Sequence, residues 1–413
     1  MDFTPTEEQT AARELAARIF GDLATHERLA TLGTGSDMEL WKALCAAGLV
    51  SAVEDIGLLG LVLLLEEQGR TTAQAPFAAS CVYGLLTVGA YGSPEQRGRL
   101  LPGIRDGSVV VCGAFPAVGG VRASERGELT GTVPLVPWLR DATHVLVPDE
   151  RRRLWLVPAA DAGCEPVEST APWAAGRLTL DGAPGEPLGA PDAYEDVLLT
   201  ARTAFAGLQA GVCAGSLARA VAHTNSREQF GRPLAVKQGV QLRVADAYMD
   251  TEAIRVTVYE AAWRRDQGLP YAMEALTAAW WASEAGQRVV HAGQHLHGGT
   301  GADLEHPVHR HFLWGRQLDA YLGCGSEVLE ELGELIVRDA EEARRTPEAQ
   351  GIRATDRAEG FRRAEGPEGQ QRPEEGLEGK KVPEGWKGLE GWNGLEGLSR
   401  SRGATRGQED QSG

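Results

Sequence analysis

Positive charge is scarce in this sequence: 41 Lys and Arg stand against 58 Asp and Glu, a formal net charge of −17. A nucleic acid or an anionic membrane surface is therefore not expected as a partner. Long apolar runs are lacking too. The longest, Ile56 to Leu65, is too short to span a bilayer and is broken by glycines. The opening Met1-Asp2-Phe3-Thr4-Pro5 does not begin a charged-then-apolar signal pattern. These absences together lead to the expectation of a soluble cytoplasmic protein. Cysteine is sparse: six residues with no CxxC pair or regular spacing, which fits reduced thiols rather than a disulfide framework or a zinc site. Six histidines crowd between His291 and His311, and His291 and His295 are spaced to share a helix face. No HExxH and no cysteine cluster stands beside them, so no metal is expected.

What is present is a chain of 413 residues, 42% of them hydrophobic, enough for two or three domains and a sizeable buried interior. The basic residues are nearly all arginine and alanine is abundant, which reflects genome composition rather than mechanism. Residues 1–108 read as an N-terminal helical domain. Glu7 to Phe20 carries apolar residues at helical spacing; Met38 to Leu49 and Ile56 to Gln68 follow as further helices. Ser93-Pro94-Glu95 has the form of an N-cap with proline at the first helical position. Residues 109–190 change period. Short β-rich runs at Val109–Val111, Leu129–Thr132, Thr143–Val147, Leu154–Val157 and Arg177–Leu180 predict a small antiparallel barrel or sandwich. Residues 191–345 return to long helical segments, Asp192–Thr224, Pro233–Asp266, Met273–Gln294 and Val308–Ala343, as in an antiparallel four-helix bundle. Beyond that, residues 346–413 collapse to Gly, Glu, Arg and Pro. This low-complexity tail is expected to be disordered and dispensable, although Trp386 and Trp392 could engage a partner.

Several local motifs lie in a fixed order along this mainly α chain with its small β domain. They are Thr4-Pro5-Thr6-Glu7-Glu8-Gln9; Glu66-Glu67-Gln68-Gly69-Arg70 with Ala75-Pro76-Phe77; Gly92-Ser93-Pro94-Glu95-Gln96; Arg227-Glu228-Gln229-Phe230-Gly231-Arg232-Pro233; and His297-Gly298-Gly299-Thr300-Gly301. Each is weak alone. In this order, over residues 1–345, the sequence resembles the acyl-CoA dehydrogenases. The resemblance implies that family's fold: N-terminal helices, a middle β domain and a C-terminal four-helix bundle. It also implies FAD as cofactor, an acyl-CoA thioester as substrate and an electron transfer flavoprotein as electron acceptor. The reaction desaturates the bond beside the thioester. A carboxylate removes the α-proton, hydrogen-bond donors stabilise the enolate-like charge, and the flavin accepts the hydride.

The resemblance assigns Arg227, Gln229 and Phe230 to contacts with the FAD of a neighbouring subunit; a guanidinium can pair twice with a pyrophosphate. Gln238 is a further cofactor candidate, with a plain helix-surface glutamine as the equal reading. Gly298, Gly299 and Gly301 would let backbone N–H groups approach phosphate or adenine closely. The family usually has glutamine three residues before the double glycine, where this chain has His295. The family's flavin-ring motifs, a Thr-Glu-Pro loop and an Ile-Thr strand end, are degraded here to Cys112-Gly113-Ala114-Phe115-Pro116 and Pro134-Leu135-Val136-Pro137-Trp138. Trp138 is either a flavin-stacking residue or an ordinary core tryptophan.

The family's base is a glutamate near the last helix or early in the first bundle helix. Those two positions fall on Gly323 and Ala201, neither of which can accept a proton. In this the chain resembles the base-less partner subunit of the two-subunit steroid side-chain acyl-CoA dehydrogenases of actinobacteria, on Phe312-Leu313-Trp314-Gly315 and Leu322-Gly323-Cys324-Gly325. The resemblance implies an α2β2 assembly with a glutamate-bearing subunit. Two other readings stay open: a self-sufficient enzyme with Glu195 or Asp196 as base, and a flavin-free scaffold of the same fold.

Overall fold

The computed structural model describes residues 2–116, 119–190 and 192–345. The expected tail from residue 346 lies outside the described residues. The chain opens with α1 (Glu7–Leu23), α2 (His26–Leu32), α3 (Met38–Ala46) and α4 (Leu49–Thr71). A π-helical stretch, Ser80–Leu86, joins α5 (Phe77–Ala79) to α6 (Thr87–Tyr91), and α7 (Pro94–Asp106) follows. The N-termini of α1 and α7 are both set by capping boxes. Thr6 pairs reciprocally with Gln9, and Ser93 with Gln96, so orphan N–H groups are satisfied at each helix start.

Helix α4 is broken at Gly57, where φ is +71°. The N–H groups of Leu58 and Leu59 freed by that break donate to the Asp266 carboxylate at 2.7 and 2.9 Å. A residue 208 positions further along the chain from Leu58 thus caps the second half of this helix. Downstream, the Glu66–Arg70 motif has a packing role. A Cβ on Gly69 would lie 2.2 Å from the Leu208 carbonyl oxygen, and one on Gly211 would lie 2.1 Å from the Glu66 carbonyl oxygen. Two glycines therefore permit close backbone contact with the first bundle helix. Gln68 turns the chain out of α4 by donating to the Ala73 and Ala75 carbonyls at 3.1 and 3.0 Å.

The middle of the chain forms two four-stranded sheets. One has the order β1 (Val111–Gly113), β4 (His144–Pro148), β5 (Leu154–Pro158), β8 (Glu186–Leu188); the other is β2 (Val121–Ala123), β3 (Glu128–Val136), β7 (Gly176–Pro184), β6 (Gly163–Pro166). Along β7 buried and exposed residues alternate, as expected of a strand with one face on the core. β4 and β5 are buried along nearly their whole length. The expected all-antiparallel pairing needs one correction: β1 runs parallel to β4, with Val111 opposite His144. A parallel pair requires a long crossover, and β2 and β3, strands of the other sheet, form that connection.

The chain returns to helix in α8 (Ala193–Ser226), then a two-residue-stranded hairpin of β9 (Glu228–Gln229) and β10 (Arg232–Pro233), then α9 (Gln238–Asp266), α10 (Ala272–His297), α11 (Val308–Tyr321) and α12 (Gly325–Arg345). Helix α8 is long and apolar enough to cross a bilayer, yet 89% of its most apolar window is buried inside the protein. It is the central helix of the bundle, which is why it is apolar all round. The single last helix expected over Val308–Ala343 is instead α11 and α12. The break falls at Gly323, whose φ of +109° is incompatible with a continued helix, and Arg202 Nε donates to the freed Leu322 carbonyl at 3.1 Å.

His311 on α11 shows how tightly the bundle is tied to the N-terminal helices. It is 1% exposed, and its Nε2 donates to the Arg70 carbonyl at 3.0 Å. Burial pushes its imidazole from an ordinary 6.5 down to about 4. A depressed folded-state value means that stability is fully present above about 6.5 and is lost as pH falls toward 4, because the unfolded chain takes up the proton first. The loss should be on the order of 3 kcal/mol. Urea unfolding of the wild-type chain and His311→Gln at pH 7 and pH 4.5 checks this. The variant is expected to start less stable and to lose less on acidification; equal losses in both proteins would contradict it.

Candidate functional site

The two expected base positions face a filled interior. Ala201 on α8 is fully buried. The cavity beside Gly323, walled by Phe205, Ala206, Ser283 and Tyr321, holds only about 20 Å³, room for one water. Small-molecule sites span roughly 300–1,000 Å³. Aromatic side chains take up the space between the β sheets and the bundle. Trp138 and Trp173 stack at 4.6 Å between ring centroids; Trp138 also lies 6.1 Å from Phe205. Phe205 meets Tyr321 edge-on at 4.9 Å, and Trp173 meets Trp314 edge-on at 5.4 Å. Phe115 is stacked between Tyr83 at 5.2 Å and Tyr194 at 5.5 Å. The Tyr83 and Tyr321 hydroxyls bond to each other at 3.1 Å, so their polar tips are satisfied inside the cluster. Burial raises both phenols well above their ordinary value, which keeps them neutral.

Both degraded motifs feed this cluster. Cys112–Pro116 contributes Phe115, and Pro134–Trp138 contributes Trp138, which is 1% exposed. Of the two readings of Trp138, the core tryptophan holds. The space of about 20 Å³ left beside Gly323 does not fit the ring of a flavin.

The carboxylates nearest in sequence to the two base positions all have partners, and Glu327 keeps its partner beside Gly323, with Oε2 3.7 Å from a Cβ built there. Glu195 pairs with Arg152 at the surface. Asp196 accepts from Tyr91 at 2.9 Å and from Tyr271 at 2.7 Å. Glu327 accepts from the Cys324 N–H at 2.9 Å, and Glu331 pairs with Arg202 at 2.8 Å. An open depression of about 560 Å³ borders the cluster at Pro116 and Tyr194 and is lined by Glu327, Glu330, Glu331 and Glu334 of α12, with Arg202 and Arg338 among them. That excess of negative charge is poorly matched to the phosphates of a coenzyme A.

A second region is open. The C-terminal ends of α8 and α10 meet beside the β9–β10 hairpin. Their residues Arg227, Gln229, His295, Gly298 and Gly299 line one surface pocket of about 600 Å³, together with His223 and His297. The hairpin turns through Phe230 and Gly231 with φ of +57° and +75°, the two consecutive left-handed residues of a tight hairpin turn. The turn holds Phe230 out, 92% exposed, with Lys237 Nζ 4.8 Å above its ring. A Cβ added at Gly298 or Gly299 would meet nothing, so this loop is bare toward solvent. Gly301 is different: its Cβ would lie 2.3 Å from the Gln294 carbonyl oxygen, and it is buried beneath the loop. Gln238, at the start of α9, is exposed and is not among the residues lining the pocket. Five sequence-predicted residues thus converge, while Phe230, Gln238 and Gly301 stand apart from the pocket wall. The pocket suits the anionic end of a ligand: a guanidinium, an amide and bare glycine backbone lie together.

Sequence reasoning did not single out His223, and it took His306 only as one of the six clustered histidines and as part of Glu305-His306-Pro307 after the glycine loop. His223 stacks on His297 at 4.5 Å, and His297 meets His306 at 4.9 Å. The only sequence signal was the local density of histidine, which does not reach back to His223.

The model of the acyl-CoA dehydrogenase C-terminal domain matches residues 191–333. The acyl-CoA dehydrogenase FadE27 of Mycobacterium tuberculosis is 34% identical over 369 residues, covering 81% of this chain and 98% of the relative. A variant of the Tcur3481-Tcur3483 steroid acyl-CoA dehydrogenase is 40% identical at a TM-score of 0.77, covering 81% of this chain and 99% of that one. The ChsE4-ChsE5 complex from Mycobacterium tuberculosis contains a chain 31% identical at a TM-score of 0.77, covering 82% of this chain and 99% of that one. With a relative of this identity matched along almost its whole length, and with the element order helices, strands, helices, the chain belongs to the acyl-CoA dehydrogenase family.

Proposed function

We propose that this chain is the non-catalytic subunit of a heteromeric, FAD-dependent acyl-CoA dehydrogenase acting on a bulky, steroid-type CoA thioester. The observation that carries this reading is the aromatic packing beside the two degraded motifs: Phe115, Trp138, Trp173, Phe205 and Tyr321 pack together and leave about 20 Å³ next to Gly323. The empty base positions at Gly323 and Ala201 support it, as does the likeness to a steroid acyl-CoA dehydrogenase. The surface pocket retains groups suited to a cofactor's phosphates. Arg227 would pair with the pyrophosphate, and the Gly298–Gly299 backbone would approach it closely. Phe230, held out by its hairpin, would reach the neighbouring subunit. When bound, FAD supplies the hydride acceptor. The partner supplies the glutamate base, and the assembly passes its electrons to an electron transfer flavoprotein.

Co-expression with a glutamate-bearing acyl-CoA dehydrogenase chain, size-exclusion chromatography and flavin quantitation test this. The expected product is an α2β2 assembly with about half as much flavin as total chains. A stable homotetramer with one flavin per chain would favour the self-sufficient reading instead, and assembly without flavin would favour the scaffold. In the assembled protein, Arg227→Ala is expected to weaken flavin retention by roughly 1.5–3 kcal/mol without unfolding it, the worth of a charge-assisted pair. Unchanged flavin affinity would count against the assigned role.

A further inference from the structure

The pocket that holds Arg227 lies where two helices end. His223 is in the last turn of α8, and His295 and His297 are in the last turn of α10. Helix C-termini carry partial negative charge from their unpaired carbonyls, so they disfavour an anion and favour a protonated imidazole. A phosphate entering this pocket therefore meets an unfavourable background, which Arg227 on the pocket wall offsets. The histidines on the same wall can add positive charge by taking up a proton.

Their contacts show where a proton can go. His297 Nδ1 donates to the Gly293 carbonyl at 2.7 Å, which leaves Nε2 as the acceptor atom of a neutral ring. The Val308 N–H donates to His306 Nδ1 at 3.3 Å, so the proton of neutral His306 sits on Nε2. His223 stacks on His297 with an interplanar angle of 28° and lines the pocket beside Arg227. The surrounding charges come from every packed element. Arg219 and Arg227 lie on or just past α8, His26 comes from α2 with its Nε2 donating to the Glu305 carbonyl, and His309 and Arg310 lie on α11. Asp303 and Glu305 are the acidic residues of the intervening loop. Burial lowers His223 and His306, and the neighbouring histidines and arginines lower them further. Without a ligand, two effects thus oppose each other: burial and nearby cations disfavour charging His223 and His306, while the helix ends favour it.

We infer that the His223–His297–His306 stack is a proton-coupled phosphate subsite, which takes up a proton as a nucleoside diphosphate, or the diphosphate end of a dinucleotide, binds against Arg227. The anion removes the imbalance: its negative charge offsets the arginines and reverses the preference for neutral imidazole. This inference rests on the reading of the Arg227 pocket as a cofactor-phosphate site and adds residues to it. Binding of the anion is then linked to pH, becoming tighter as pH falls through the range where free imidazole titrates.

ADP titrated into the flavin-stripped mixed assembly by calorimetry, at pH 6, 7 and 8 and in two buffers of different ionisation enthalpy, reads both affinity and protons taken up. The expected result is a rise in affinity of up to about tenfold per pH unit on acidification, with proton uptake on binding. His223→Phe keeps an aromatic ring in the stack and should flatten the pH dependence. Arg227→Ala should instead weaken binding at every pH. If Arg227→Ala has no effect at any pH, the reading of the pocket itself fails. If Arg227→Ala weakens binding but the wild-type assembly takes up no proton, or His223→Phe retains the full pH dependence, the histidine subsite is overturned alone. Should the variant misfold, the wild-type proton count still decides.

Discussion

Purified alone, the chain is expected to turn over acyl-CoA thioesters at least about 10²–10⁴-fold more slowly than the mixed assembly, the loss that follows removal of a general base. The two positions where the family resemblance places that base are Gly323 and Ala201. The carboxylate beside Gly323 is Glu327, whose Oε2 lies 3.7 Å from a Cβ built on Gly323, and it is held by the Cys324 N–H at 2.9 Å. Glu195 is paired with Arg152, Asp196 accepts from two tyrosine hydroxyls, and Glu331 is held by Arg202. Restoring a carboxylate should not rescue the chain. In Gly323→Glu the new side chain would need a backbone at φ +109°, and its Cβ would lie 3.3 Å from Val328 Cγ2. Even correctly placed, it would face a cavity of about 20 Å³. The measurement is steady-state turnover with an artificial electron acceptor, for the lone chain, for Gly323→Glu and for the co-expressed assembly. Rapid turnover by the lone chain would sink the proposal and reopen the self-sufficient reading. Activity gained by Gly323→Glu alone would show that the interior opens.

The parts of this molecule legible in its sequence are those fixed by neighbours in the chain. The starts of α1 and α7 follow from Thr6 with Gln9 and Ser93 with Gln96, each a pair within one helical turn. Period-two burial along β7 follows from its residues. Arg227, Gln229, His295, Gly298 and Gly299 stand in recognisable local motifs, and they share one pocket. What sequence reading missed is long-range. Phe115, Trp138, Trp173, Phe205 and Tyr321 lie far apart in the chain, and nothing local says that they meet. The same holds for His223, which reaches His297 only because α8 and α10 end side by side. The break between α11 and α12 falls at Gly323-Cys324-Gly325, a short glycine pair that the apolar spacing on either side runs across. The left-handed conformation of Gly323 is made stable by Arg202, a residue from another helix. The parallel pairing of β1 with β4 likewise depends on β2 and β3, which lie between them in the chain but join the other sheet.

Truncating the centre of the aromatic cluster is expected to cost stability rather than change flavin chemistry. Trp173 is 1% exposed, stacked on Trp138 at 4.6 Å and edge-on to Trp314 at 5.4 Å. Its indole N–H meets no acceptor among the described residues, so the ring is held by packing alone. Trp173→Ala should destabilise the chain by about 3–5 kcal/mol, the transfer term plus the cavity left behind. The flavin content of the mixed assembly should stay unchanged under conditions where the variant is folded. Phe230→Ala provides the opposite case. That ring is 92% exposed, so its removal should alter folding stability by less than about 0.5 kcal/mol while weakening assembly or flavin retention. Urea unfolding of each full-length variant, with flavin absorbance of the co-expressed complexes, reads both effects. The alternatives differ in sign. If the interior were a flavin site, Trp173→Ala would shift the flavin spectrum and leave stability nearly untouched. A cluster that acts as a core gives the reverse, because its rings contact one another and leave no room for a ligand.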